Sequence, residues 1–103
     1  FLPNESSRIQ YYYLNNLWRD INIAIKNNIN NLNICSEPIF FKTILNLFKL
    51  HGLDLSNREI INEDTQTIYA HFWGKNSNYI YTSEQVIEEL KHYLYSIGYN
   101  LKQ

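Results

Sequence analysis

The chain has 103 residues, with 9 Lys and Arg against 10 Asp and Glu, so it lacks the charge excess that keeps a chain disordered. Its hydrophobic content of 45% and aromatic content of 16% are typical of a folded protein, and this length suits one hydrophobic core. No apolar run reaches the roughly 20 residues that a membrane-spanning helix needs. We therefore expect one domain over residues 1–103 and no membrane partner.

Two features of the composition predict the setting in which the protein works. The chain begins with Phe1 and contains no Met, which predicts a domain excised from a larger protein. Its single cysteine, Cys35, cannot form an internal disulfide and suits a reducing compartment. We expect an intracellular protein, either cytoplasmic or nuclear.

A first helix is predicted over residues 6–31. Ser6 or Ser7 can cap it, because a serine hydroxyl accepts hydrogen bonds from the free amides at a helix N-terminus. The apolar residues that follow recur at helical spacing and predict one buried stripe: Leu14, Leu17, Trp18, Ile21, Ala24, Ile25, Ile29 and Leu32. Trp18 is accordingly expected in the core.

A second helix is predicted to begin at the Ser36-Glu37-Pro38 sequence, since the serine can cap it and proline is favoured in a first helical turn. Gly52 is expected to end it in a left-handed conformation. Its inner stripe is predicted to comprise Phe41, Ile44, Leu45 and Phe48.

A third helix is predicted from Asn57, because Ser56 and Glu59 have the spacing of a capping box. Two interpretations of its end are open. Either the helix continues to Trp73 and ends at Gly74, or it stops near residue 64 and residues 67–73 pair with residues 79–82 as a hairpin.

The last helix is predicted over residues 83–97, because Thr82 and Gln85 form a second capping-box pattern and Gly98 can end the helix. The predicted fold class is therefore mainly α. It is a compact domain of four helices, with a short winged-helix-like hairpin between helices three and four as the alternative.

No combination of residues in the sequence predicts catalysis or metal binding. Cys35 has no histidine at a spacing that indicates a thiol and imidazole pair. Glu88 and His92 are four residues apart on one helical face, but a third metal ligand at a usable spacing is missing. We expect no enzyme activity, no cofactor and no small-molecule substrate.

The hairpin alternative would resemble the winged-helix family in element order, from about residue 36 to residue 97. Many winged helices bind DNA through clustered Lys and Arg. Residues 54–64, in the position of the recognition helix, have one basic and four acidic residues: Asp54, Arg58, Glu59, Glu63 and Asp64. The resemblance makes a nucleic-acid-binding module the alternative function, although this charge disfavours it.

The chain's size and predicted helix count are also similar to those of the ACDC domain, a helical domain that accompanies DNA-binding domains in transcriptional regulators. This resemblance adds a transcription-regulator-associated module to the alternative function.

The aromatic residues provide the main functional signal. Tyr and Trp are favoured anchors at protein interfaces, and three consecutive tyrosines at residues 11–13 cannot all face one side of a helix. The candidate binding residues are Trp73, Tyr79, Tyr81 and Tyr12. The predicted function is a non-catalytic protein-interaction or assembly domain, with a protein partner or a second copy of the chain bound near Trp73 and Tyr79.

Overall fold

The computed structural model describes residues 2–50 and 52–98. These residues form three α-helices and a two-stranded antiparallel sheet, in the order β1 (Arg8–Ile9), α1 (Leu17–Lys26), β2 (Ile39–Phe40), α2 (Phe41–Leu47) and α3 (Ser83–Ser96). Two 3-10 turns lie at Leu14–Asn16 and Ala70–Trp73. The predicted mainly helical, four-helix domain is therefore wrong, and the structure is a small mixed α and β fold.

The predicted third helix is replaced by an extended segment beside β1. The amide of Arg8 donates to the carbonyl of Ile61 at 2.9 Å, and the amide of Glu63 donates to the carbonyl of Arg8 at 2.9 Å. Backbone groups bonded in this way are not available for helical hydrogen bonds. The expected capping box is also absent, because the Ser56 amide and hydroxyl both donate to the carboxylate of Asp54.

Residues 67–82 form neither a long helix nor a hairpin, so both interpretations of this segment are wrong. The 3-10 turn Ala70–Trp73 ends at Gly74, which has a φ of 75° in the left-handed region. Tyr81 pairs with Ser36 in a parallel bridge, and its carbonyl accepts from the amide of Glu37 at 2.9 Å. The element order of a winged helix is absent from the part of the chain that the structure describes.

The first two predicted helices are shorter than expected. Residues 8–9 join the sheet, so α1 begins only at Leu17 and ends at Lys26. β2 occupies Ile39–Phe40, which delays the start of α2 to Phe41. Helix α2 ends at Leu47, well before Gly52, and Lys49 just beyond it has a left-handed φ of 56°.

The last predicted helix is confirmed within one residue. The Thr82 hydroxyl accepts from the amide of Gln85 at 3.1 Å, and the Gln85 side chain accepts from the amide of Thr82 at 2.9 Å. α3 then runs over Ser83–Ser96. Among the described residues, no helix has the length and apolar content needed to cross a membrane.

The hydrophobic core lies between α2, α3 and the segments that precede them. Its buried members are Ile39, Phe41, Ile44, Leu45, Leu55, Ile80, Tyr81 and Val86. The inner stripe predicted for α2 is confirmed at three of its four positions and is half-buried at Phe48.

Helix α1 is rotated from the orientation that the sequence predicts, because Ile21 and Ala24 of the predicted stripe are half-buried while its other residues on α1 are exposed. Trp18 is 74% exposed and Ile25 is 68% exposed, whereas Asp20 is fully buried. The prediction that Trp18 lies in the core is therefore wrong. The physical reason is that the Asp20 carboxylate meets hydrogen-bond donors from three other segments, and these lie on the inner side of the helix.

Candidate functional site

The Asp20 cluster consists of Asp20 together with Tyr12, Arg19, Trp73 and Tyr81. The indole Nε1 of Trp73 donates to Oδ1 of Asp20 at 2.9 Å, and the Tyr81 hydroxyl lies 2.7 Å from Oδ1 and 2.9 Å from Oδ2. The Tyr12 hydroxyl donates to Oδ2. An ionised carboxylate only accepts hydrogen bonds, so three converging donors allow it to be buried.

Four separate parts of the chain meet at this cluster. Tyr12 comes from the segment after β1, Asp20 from α1, Trp73 from the second 3-10 turn and Tyr81 from the segment before α3. The Arg19 guanidinium adds a hydrogen bond of 2.6 Å to the Tyr81 hydroxyl and lies 3.8 Å from Oδ1 of Asp20. The cluster therefore fixes the position of α1 relative to the rest of the domain.

The tyrosines of the cluster keep their protons at neutral pH. Burial is the main cause that raises the pKa of Tyr12, and the hydrogen bond to Asp20 raises it further. Burial also raises the pKa of Tyr81, with Asp20 adding to this effect and Arg19 opposing it. Such hydroxyls act as neutral hydrogen-bond donors, so the cluster is suited to holding segments together.

These raised pKa values predict that the domain loses stability at alkaline pH. Above the ordinary tyrosine pKa of 10.0, the unfolded chain releases the Tyr81 proton while the folded chain retains it. The folded state then binds more protons, so its stability falls as pH rises through this range, by on the order of 1 kcal/mol per pH unit for a buried tyrosine. Urea unfolding between pH 8 and about pH 11 measures this slope. Tyr81→Phe should make this slope less steep, with Tyr12 still contributing, and an unchanged slope would contradict the assignment.

The structure brings three of the four predicted binding residues together. Tyr12, Trp73 and Tyr81 all contact Asp20, whereas Tyr79 lies apart and donates its hydroxyl to Asp64. That hydrogen bond is the main cause that raises the pKa of Tyr79 and lowers the pKa of Asp64. Their roles in binding stay predictions. Sequence reasoning missed Asp20, the residue on which the other three converge.

The outer face of α1 is the surface opposite the Asp20 cluster. It consists of Leu14, Leu17, Trp18 and Ile25, of which Leu14 and Trp18 are each 74% exposed. Residues 14, 18 and 25 are separated by four and seven positions, so they lie along one side of the helix and of the turn that leads into it. The outer face therefore presents exposed apolar side chains on a helix whose inner side carries a buried carboxylate.

The described residues provide no metal site. No group of three or more His, Cys, Asp and Glu residues within ranges 2–50 and 52–98 is placed to hold a metal ion. Burial raises the pKa of the Cys35 thiol, which favours the unreactive protonated form. Glu88 pairs with Lys91 at 3.5 Å.

Comparisons of the chain with protein-family models, with curated proteins and with solved structures found no significant match.

Proposed function

We propose that this protein is a non-catalytic, intracellular protein-interaction domain whose contact surface is the outer face of α1. The observation that carries the proposal is the exposure of Leu14, Trp18 and Ile25 on one side of α1 and of the turn that leads into it. Burying a side chain of this size is worth roughly 1.5–3 kcal/mol. A group of such exposed side chains is a feature of interaction surfaces, and tryptophan is among the residues enriched as their anchors.

The Asp20 cluster supports this role from the inner side of the helix. Its hydrogen bonds connect α1 to three other segments, so the outer face is held in one position before a partner arrives. A surface that is already ordered loses less conformational entropy on binding. In this proposal the predicted residues Tyr12, Trp73 and Tyr81 contribute to binding indirectly, by fixing α1.

The charges beside the outer face indicate the chemistry of the partner. Arg19 and Lys26 are exposed on α1, and the helix has no exposed acidic residue. Two copies packed through this face would bring basic side chains together, which is unfavourable. We therefore propose a different protein as the partner, with an amphipathic helix whose apolar residues are flanked by Asp or Glu. The free cysteine, Cys35, is consistent with a reducing compartment.

Trp18→Ala is expected to weaken partner binding by about 30-fold or more, the effect of losing an interface anchor worth about 2 kcal/mol. The stability of the domain should change by no more than about 0.5 kcal/mol, because the side chain is largely exposed. A photo-crosslinking amino acid at position 25 would capture the partner, and calorimetry with the captured protein would measure affinity.

Ile60→Ala is the matched control, because Ile60 is a large, exposed apolar residue outside α1. It should leave the affinity unchanged. The proposal is wrong if Trp18→Ala unfolds the domain, or if it leaves binding intact while Ile60→Ala reduces it.

A further inference from the structure

A second surface, the tyrosine groove, lies between residues 11–15 and α3. It has a volume of about 590 Å³. The aromatic and apolar lining includes Tyr11, Tyr12, Tyr13, Leu90 and Tyr93. The surface borders the outer face of α1 at Leu14, but most of its lining comes from other residues. It can therefore be tested separately from the proposed function.

Glu89 is the only charged residue among those that line the groove. Its Oε2 accepts a hydrogen bond from the side-chain amide of Asn16, which is itself buried. This bond orients the carboxylate without neutralising it. Within the described residues, no Lys or Arg nitrogen lies within 4.0 Å of the Glu89 carboxylate, although Arg19 is close enough to interact with it at longer range.

An apolar aromatic groove with one oriented carboxylate matches the chemistry of an arginine side chain. The methylene stem of arginine packs along apolar surface while its charged end stays at the edge. The guanidinium group stacks on aromatic rings, and its paired N–H groups match the two oxygens of a carboxylate. Lysine offers a compact charge without the planar group, so it meets only part of this arrangement.

We propose that the tyrosine groove binds an arginine side chain of a protein segment, with the guanidinium at Glu89 and the stem against the tyrosines. Charge complementarity favours this occupant over an uncharged one, because the groove supplies a negative charge and no positive one.

The test is a titration of the ¹⁵N-labelled protein, followed by NMR, with blocked pentapeptides of sequence Gly-Ser-Arg-Ser-Gly. Peptides with Lys or Gln at the central position serve as comparisons. The arginine peptide should shift the amide signals of residues 11–15 and 86–93 and bind more tightly than the lysine peptide. The glutamine peptide should bind at least about tenfold more weakly than the arginine peptide.

Glu89→Gln should lower the affinity for the arginine peptide by about tenfold, because it removes the charge-assisted hydrogen bonds. The shape of the side chain is retained, and its oxygen can still accept from Asn16. Glu88→Gln is the matched control, since it removes the same charge from the next residue, which does not line the groove. Tyr93→Leu, which removes a ring while keeping an apolar side chain, should weaken binding several-fold.

Equal losses in Glu88→Gln and Glu89→Gln would overturn the proposal, because they would indicate attraction by net charge alone. Equal affinity for the glutamine and arginine peptides would also overturn the proposal, because the groove would then bind both peptides through apolar contact alone. Shifts of amide signals confined to other parts of the domain would overturn the proposal, and so would the absence of any shift. None of these results affects the role proposed for Trp18.

Discussion

Asp20→Ala is expected to destabilise the domain by about 3–5 kcal/mol, because it removes the acceptor shared by three hydrogen-bond donors at once. The substitution would leave the N–H of Trp73 and the hydroxyls of Tyr12 and Tyr81 without their acceptor. Each unsatisfied buried donor costs roughly 1–3 kcal/mol. Since domains of this kind have a total stability of about 5–15 kcal/mol, the variant should be partly unfolded or close to it at ambient temperature.

Urea denaturation followed by circular dichroism would measure this loss. Tyr81→Phe in the same assay should cost less, about 1–3 kcal/mol, because it removes the hydrogen bonds of one hydroxyl, to Asp20 and from Arg19, and retains the ring. The two substitutions should also be less than additive when combined, since both disrupt the same contact. If Asp20→Ala lowers the free energy of unfolding by less than about 0.5 kcal/mol, the carboxylate does not hold α1 in place.

The orientation of α1 is the main error of the sequence-based analysis. Helical spacing of apolar residues identifies a stripe, but it does not say whether the core or a partner covers that stripe. The hydrogen-bond donors of Trp73 and Tyr81 determine which side of α1 faces inward. Both residues lie more than 50 positions from Asp20 along the chain. A signal was present, because Asp20 is the only acidic residue between Glu5 and Glu37. Buried Tyr and Trp need hydrogen-bond partners, and Asp20 was the available carboxylate in that part of the chain.

Local and long-range interactions explain which helices could be predicted. The capping box of α3 uses Thr82 and Gln85 alone, so the sequence contains everything that fixes its start. The similar pattern at Ser56 fails because the Ser56 hydroxyl donates to Asp54 instead. Asn4 also bonds this region: its side chain donates to the carbonyl of Ser56 at 3.2 Å, and its amide donates to the carbonyl of Glu59 at 3.0 Å. A nearby acceptor and a partner more than 50 residues distant together override the local preference for a helix.

The aromatic residues illustrate a second limit of sequence reasoning. Their number points to Tyr12, Trp73 and Tyr81 as binding residues, but the structure gives all three a contact inside the domain. An aromatic side chain with a polar end suits an interface and equally suits a buried hydrogen bond. Trp18 and Ile25, which helical spacing predicts to be buried, are instead among the exposed large hydrophobic residues of the described chain.

Ile80→Ala and Ile25→Ala make the same chemical change on opposite sides of the fold, and their effects should differ sharply. Ile80 is fully buried in the core, so its truncation should cost about 2–5 kcal/mol through lost contacts and a residual cavity. Ile25 is 68% exposed on α1, so its truncation should change stability by no more than about 0.5 kcal/mol. Urea unfolding of both variants decides the orientation of α1 without any partner. Similar losses would place Ile25 in the core, as helical spacing alone predicts, and would remove the apolar surface on which the proposed interaction depends.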